Sequence, residues 1–263
     1  MSKSLGRRAL LGLGGGFGLS ALGWGLGCDS GLTTGRRVSY QLQATSDVAE
    51  LGSVETSLGW RVTLDTATMG LGRMIFVEGA PVAMNQWRAL WVPEAAAHPG
   101  HYVGGQVFAE LLESQLVDLT APGTLAVVEG TTGAIRSAVV GFHDPAVGTL
   151  DPALDDAVVR LAGTAERDGQ SIRFTAAADA ADVTDAASGF PDISGCPVAD
   201  AADVEGGILR LEVSVGIWLD RVPFDELTTT EEPAPFVRGE APHNAFVRGL
   251  RKAVAYPTDH LPE

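Results

Sequence analysis

The strictest constraint on this chain is an alternation near its C-terminal end. From Ile208 onward, Leu209, Leu211, Val213, Val215 and Ile217 are separated by Arg210, Glu212, Ser214 and Gly216. A period of two places every second side chain on one face of an extended backbone, so the stretch reads as a long strand with one buried and one wetted face. The same pattern marks 38–44 and 60–65, runs through 66–77 as a bent strand around Gly70 and Gly72, and returns at 157–165 and 171–177. Between the last two, Glu166-Arg167-Asp168-Gly169-Gln170 predicts a hairpin. Segments 125–128 and 135–142 are expected to pair across a second turn. Helix is expected only in short pieces, at the spacing of Val107, Leu111 and Leu112, at 224–227 and at 245–254. The stretch 178–206, rich in Ala and Asp, reads as an exposed excursion. The predicted fold class is all-β with minor helix: an antiparallel sandwich or barrel, immunoglobulin-like or jelly-roll-like.

Charge narrows the function classes. The chain carries 18 basic and 33 acidic side chains. Lys3, Arg7 and Arg8 all lie in the first 27 residues, so the remainder is more acidic still, with a formal charge near -18. Such a surface repels nucleic-acid phosphates, which excludes nucleic acid as a partner, and it favours cations and basic proteins.

The N-terminal segment gives an address. Arg7-Arg8 precedes an apolar run from Ala9 to Gly27 in which eight of nineteen residues are glycine, too many for a stable membrane-spanning helix. Ser4-Leu5-Gly6-Arg7-Arg8-Ala9-Leu10-Leu11 resembles a twin-arginine export motif. Leu26-Gly27-Cys28 resembles the lipobox of bacterial lipoproteins, in which the cysteine is acylated and becomes the new N-terminus; Gly25 stands where that motif usually has leucine. The expected organisation is therefore a signal peptide at 1–27, a lipidated Cys28 with a tether to residue 37, and a single β-rich domain at 38–263. The alternative use of Cys28 is a disulfide with Cys196, the only other cysteine. Both place the protein in the cell envelope. Leu58-Gly59-Trp60, the Val62-Thr63-Leu64 strand, His98-Pro99-Gly100-His101-Tyr102 and Leu161-Ala162-Gly163-Thr164-Ala165 together resemble bacterial envelope lipoproteins of no known activity. That likeness implies an envelope address and a β domain, and nothing about substrate.

The chemistry-bearing stretch is His98-Pro99-Gly100-His101. Proline and glycine at the central positions suit a type II turn, which brings its first and fourth α-carbons within about 7 Å. Two neutral imidazoles so placed can share one ion, and imidazole donors suit transition metals, copper or zinc above all. His143 is the expected third ligand, with Asp144 and Cys196 as possible additional ones. His243, Asp118 and Glu110 are weaker candidates, and His260 is expected to be a surface residue. Trp87 and Trp91, four apart, offer an alternative reading as a stacking platform for carbohydrate or another envelope polymer. A hydrolase is the third class, without identifiable acids: the chain has no Gly-x-Ser-x-Gly, His-Glu-x-x-His or Walker sequence. The first expectation is thus a non-catalytic, membrane-anchored protein that binds a transition metal or presents it to an envelope protein partner.

Overall fold

The 38–44 alternation forms β1 (Arg37–Ser46), with Tyr40, Leu42 and Ala44 buried on one face. Ser46 ends it by capping α1 (Asp47–Leu51): its hydroxyl accepts the Ala49 amide at 3.0 Å, and Gly52 closes the helix at φ 71°. The computed structural model describes residues 35–79, 106–186, 188–199, 204–227 and 232–262, all within one compact unit, Thr34–Glu263. The remaining elements are β2 (Val54–Glu55), β3 (Arg61–Val77), β4 (Val107–Leu111), β5 (Gln115–Asp118), β6 (Gly123–Thr131), β7 (Ser137–Phe142), β8 (Ala157–Arg167), β9 (Gln170–Asp179), α2 (Ala180–Val183), β10 (Asp192–Ala199), β11 (Gly207–Val213), α3 (Val215–Leu219), β12 (Ala234–Pro235), α4 (Ala241–Leu250) and β13 (Thr258–Leu261). The fold is mostly β.

Segments 60–65 and 66–77 merge into one strand of 17 residues, β3, irregular between Leu64 and Thr66. It is the spine. One edge takes β2, β5 and β4 in turn, and the other takes β8 and then β7. From β3 the hydrogen-bonded path runs through β4, β6, β1, β11, β13 and β10 to β7, which pairs with β3 again. The β8–β9 hairpin is the one predicted, and β12 extends it. One continuous apolar core lies inside, from Tyr40 and Leu42 through Phe76, Val140 and Leu211 to Trp218 and Tyr256.

The sheet is mixed rather than antiparallel. β1 runs parallel to β11, β10 to β13 and β9 to β12. Alternation reports which face of a strand is buried and is blind to strand direction, so the pattern at 38–44 and 208–213 fits either sense. Segments 125–128 and 135–142 do not pair with each other: β6 lies against β1 and β4, and β7 against β3 and β10. The intervening Thr132 and Gly133 amides are claimed by the carbonyls of Arg36 and Val204. Val107, Leu111 and Leu112 lie on no helix, because the free edge of β3 takes residues 107–111 as a strand.

The 208–217 pattern is cut at Val213. There the Asp47 carboxylate accepts the amides of Val215 and Gly216, each at 2.9 Å, and turns the chain into α3. The stretch 178–206 is not an excursion either, since it supplies α2 and β10 and buries Val183, Ile193 and Cys196. α4 crosses α3 closely because Gly249 has no side chain; a Cβ there would lie 2.5 Å from the Trp218 carbonyl oxygen. Phe174, Phe224, Phe236, Phe246, Trp60, Trp218 and Tyr256 form an unbroken aromatic chain under these helices, with ring centroids 5.0–6.4 Å apart.

Candidate functional site

His143 follows β7 directly, and Gly70 makes room for it: a Cβ at Gly70 would lie 3.1 Å from that of His143. The backbone locks the position, with the His143 amide on the Gly70 carbonyl at 2.8 Å. Both ring nitrogens are engaged. Nε2 lies 2.8 Å from the Gly148 carbonyl oxygen, an acceptor only, so it carries the proton; Nδ1 then accepts from the Ser114 hydroxyl at 2.9 Å. With the ring buried at 6 % exposure and no lone pair left over, His143 is a clamp holding the 143–148 turn in this arrangement. Asp144 serves the same turn, its Oδ1 accepting the Ala146 amide at 2.9 Å.

Cys196 is a free thiol, fully buried, with Sγ 3.3 Å from the Ile193 carbonyl oxygen. Burial pushes its pKa up to about 12. A thiolate is the form that binds metal, and this thiol resists forming one. His260 is half-buried rather than on the surface, and Nε2 donates to the Gly206 carbonyl at 2.7 Å. Among the described residues no three His, Cys, Asp or Glu side chains converge as a metal-holding group. His98, His101, Trp87, Trp91 and Cys28 lie outside the described residues.

What is described is the base from which the 80–105 segment departs. Val77 pairs with Val107, and the Glu78 amide donates to the Gln106 carbonyl at 3.1 Å. Following the registers across the sheet, Val107, Thr131, Arg37, Gly207 and Leu261 fall at one end. Arg36, near the start of the described chain, lies at that end too and exchanges bonds with Thr132, both at 2.9 Å. A groove of about 540 Å³ opens there, lined by Arg37, Val107, Phe108, Glu110, Glu129 and Thr131 among others. It mixes apolar wall with charges of both signs.

Two ionic clusters escaped the sequence reading. On the outer face of the sheet Arg210 bridges Glu212 at 3.1 Å and Asp259 at 3.5 Å. Burial, then the hydrogen bond and charge of Asp259, raise the Glu212 pKa, against the pull of Arg210. The triad braces β11 against β13, since Arg210 and Glu212 lie on the first strand and Asp259 on the second. The second cluster joins α2 to α4. Asp182 accepts from Arg238 at 2.6 Å, lies 3.6 Å from His243 Nε2, and caps its own helix through the Asp179 amide. His243 is 5 % exposed, and its Nδ1 has no hydrogen-bond partner among the described residues. Arg210 and Glu212 stand two apart on a strand, and that spacing was the available signal for the first cluster. Nothing in the sequence brings residue 182 to residue 243.

No family model matches the chain, and comparison with curated proteins and with solved structures returned no match to either.

Proposed function

We propose that this chain is an exported, lipid-anchored envelope protein that binds a transition metal, copper or zinc, on the His98–His101 turn and presents it without turnover. The observation that carries the reading is the common end of the sheet. Val77 and Val107, the strand residues on either side of the 80–105 segment, and Arg36, near the start of the described chain, fall at one end of the sheet, which supports a shared role for the turn and the anchor. The closed path from β3 back to β3 further supports a barrel over two packed sheets. With both His143 nitrogens engaged, the pair itself carries the binding, and water or a donor from an envelope partner completes the coordination.

Calorimetric titration of copper and zinc into the wild-type protein and the His98→Ala, His101→Ala double variant tests this. Binding is expected in the wild type only. It weakens as pH falls through about 6.5, where imidazole takes its proton. Equal and weak binding by both proteins overturns the metal site, and a saccharide-dependent rise in Tm without a metal-dependent one turns the reading to the polymer-binding module.

A further inference from the structure

Among the described residues, one edge of β6 lacks a full hydrogen-bonded ladder. The opposite edge pairs with β1 along the whole length, whereas this one meets β4 at a single described pair, Ala109 with Gly130. The Thr132 amide donates to the Arg36 carbonyl, and the register steps by two from there, so the amides of Gly130, Val128 and Ala126 face β1. Val127 therefore points its amide and carbonyl away from β1, beyond the last rung to β4. Natural edge strands are protected by lysine, proline or a covering segment. Gly123-Thr124-Leu125-Ala126-Val127-Val128-Glu129 has neither lysine nor proline, and Val127 is 69 % exposed.

The surroundings of that edge are apolar and acidic. Leu112 and Leu116, on the β4–β5 side, are 63 % and 43 % exposed. Leu125, Ala126 and Val128 are only half-buried against the core. Glu110, Glu113, Asp118 and Glu129 are all exposed around this region, against Arg37 at one end. A second copy of the chain would bring a surface of the same strong negative charge, which opposes an edge-to-edge homodimer.

We infer that the free edge of β6 is a docking site for an extended, basic segment of a partner polypeptide, which adds as a further strand at Val127. Main-chain hydrogen bonds would hold it, Leu112, Leu116 and Val127 would take its apolar side chains, and the acidic rim would select lysine or arginine. The site is independent of the metal reading, which rests on His98 and His101 alone.

The test uses fluorescence anisotropy with a short, N-acetylated peptide that alternates lysine and valine, and with its glutamate–valine counterpart. The basic peptide is expected to bind, more weakly as salt is raised, and the acidic one not to bind. Val127→Pro removes the outward amide without touching the ladder to β1, so it should weaken binding about tenfold or more while the far-ultraviolet circular dichroism stays unchanged. Val127→Lys, which keeps the backbone intact and adds a repelling charge, should weaken it likewise and serves if the proline variant fails to fold. Equal binding of both peptides, or undiminished binding of the basic one by folded Val127 variants, overturns the proposal. So does a wild-type dimer in sedimentation that Val127→Lys dissolves, since a second copy then owns the edge.

Discussion

The two flanks of β3 are built by opposite means. On the β8–β9 side, α3 and α4 close over an aromatic chain in which Trp60, Trp218, Phe174, Phe224 and Phe246 have no exposure at all. Arg167 caps the outermost of them, its guanidinium 4.2 Å from the Trp60 ring. On the β4–β6 side the cover is one strand thick, β6 contributes no fully buried residue, and apolar side chains face outward. The lesson is one of allocation: among the described residues, burial is concentrated where helices and rings interlock, and the opposite flank leaves backbone groups and apolar side chains exposed. Sites for partners are drawn from such less consolidated regions.

The largest effect expected from this contrast is at Phe224, which touches Trp60, Phe174 and Phe236. Phe224→Ala should lose about 3–5 kcal/mol in urea unfolding, through lost transfer energy and the cavity left behind. A loss below about 1 kcal/mol would mean that the aromatic chain is not the stable side.

A smaller effect is expected at Asp47, where the helical side is tied to β1. Burial, partly offset by the Val215 and Gly216 amides, raises its pKa above the usual value. The folded protein therefore keeps that proton over a pH range in which the unfolded chain has lost it. Stability from this group is greatest on the acid side and falls as pH rises through the folded value. Asp47→Asn should remove that decline, so the wild-type advantage over the variant should shrink as pH rises through the carboxylate range. Parallel stability–pH curves for the two proteins would contradict the assignment. The smallest effect belongs to the thin flank: Val127→Thr should change stability by no more than about 0.5 kcal/mol in the same urea titration. A larger loss there would erase the contrast between the flanks.

Much of the strand content was legible because alternation is a local signal. The hairpin around Asp168 and Gly169 shows this best, since its turn residues adopt the positive φ of 52° and 82° that their types favour. Direction and neighbours were not legible. Whether residue 42 lies beside residue 209 or elsewhere is decided by packing across the whole chain, and no short-range pattern encodes it. The same limit applies to the site. His143 sits beside Asp144 in sequence as a ligand pair would, yet Ser114 and Gly148 occupy its nitrogens, and Ser114 is a partner that only the fold provides. Cys196 had the chemistry of a ligand and the environment of a core residue.

The parallel pairing of Leu42 with Leu209 also sets an order in time. β1 emerges from the ribosome first, but its partner on one edge follows only after most of the chain. At ordinary synthesis rates that interval is roughly ten to thirty seconds. Throughout it the main-chain edge of β1 that pairs with β11 stays open, while its other edge can take β6 and Tyr40 can reach Thr131. A truncation before Gly207 would leave the N-terminal strand open on that edge however well the aromatic side had packed.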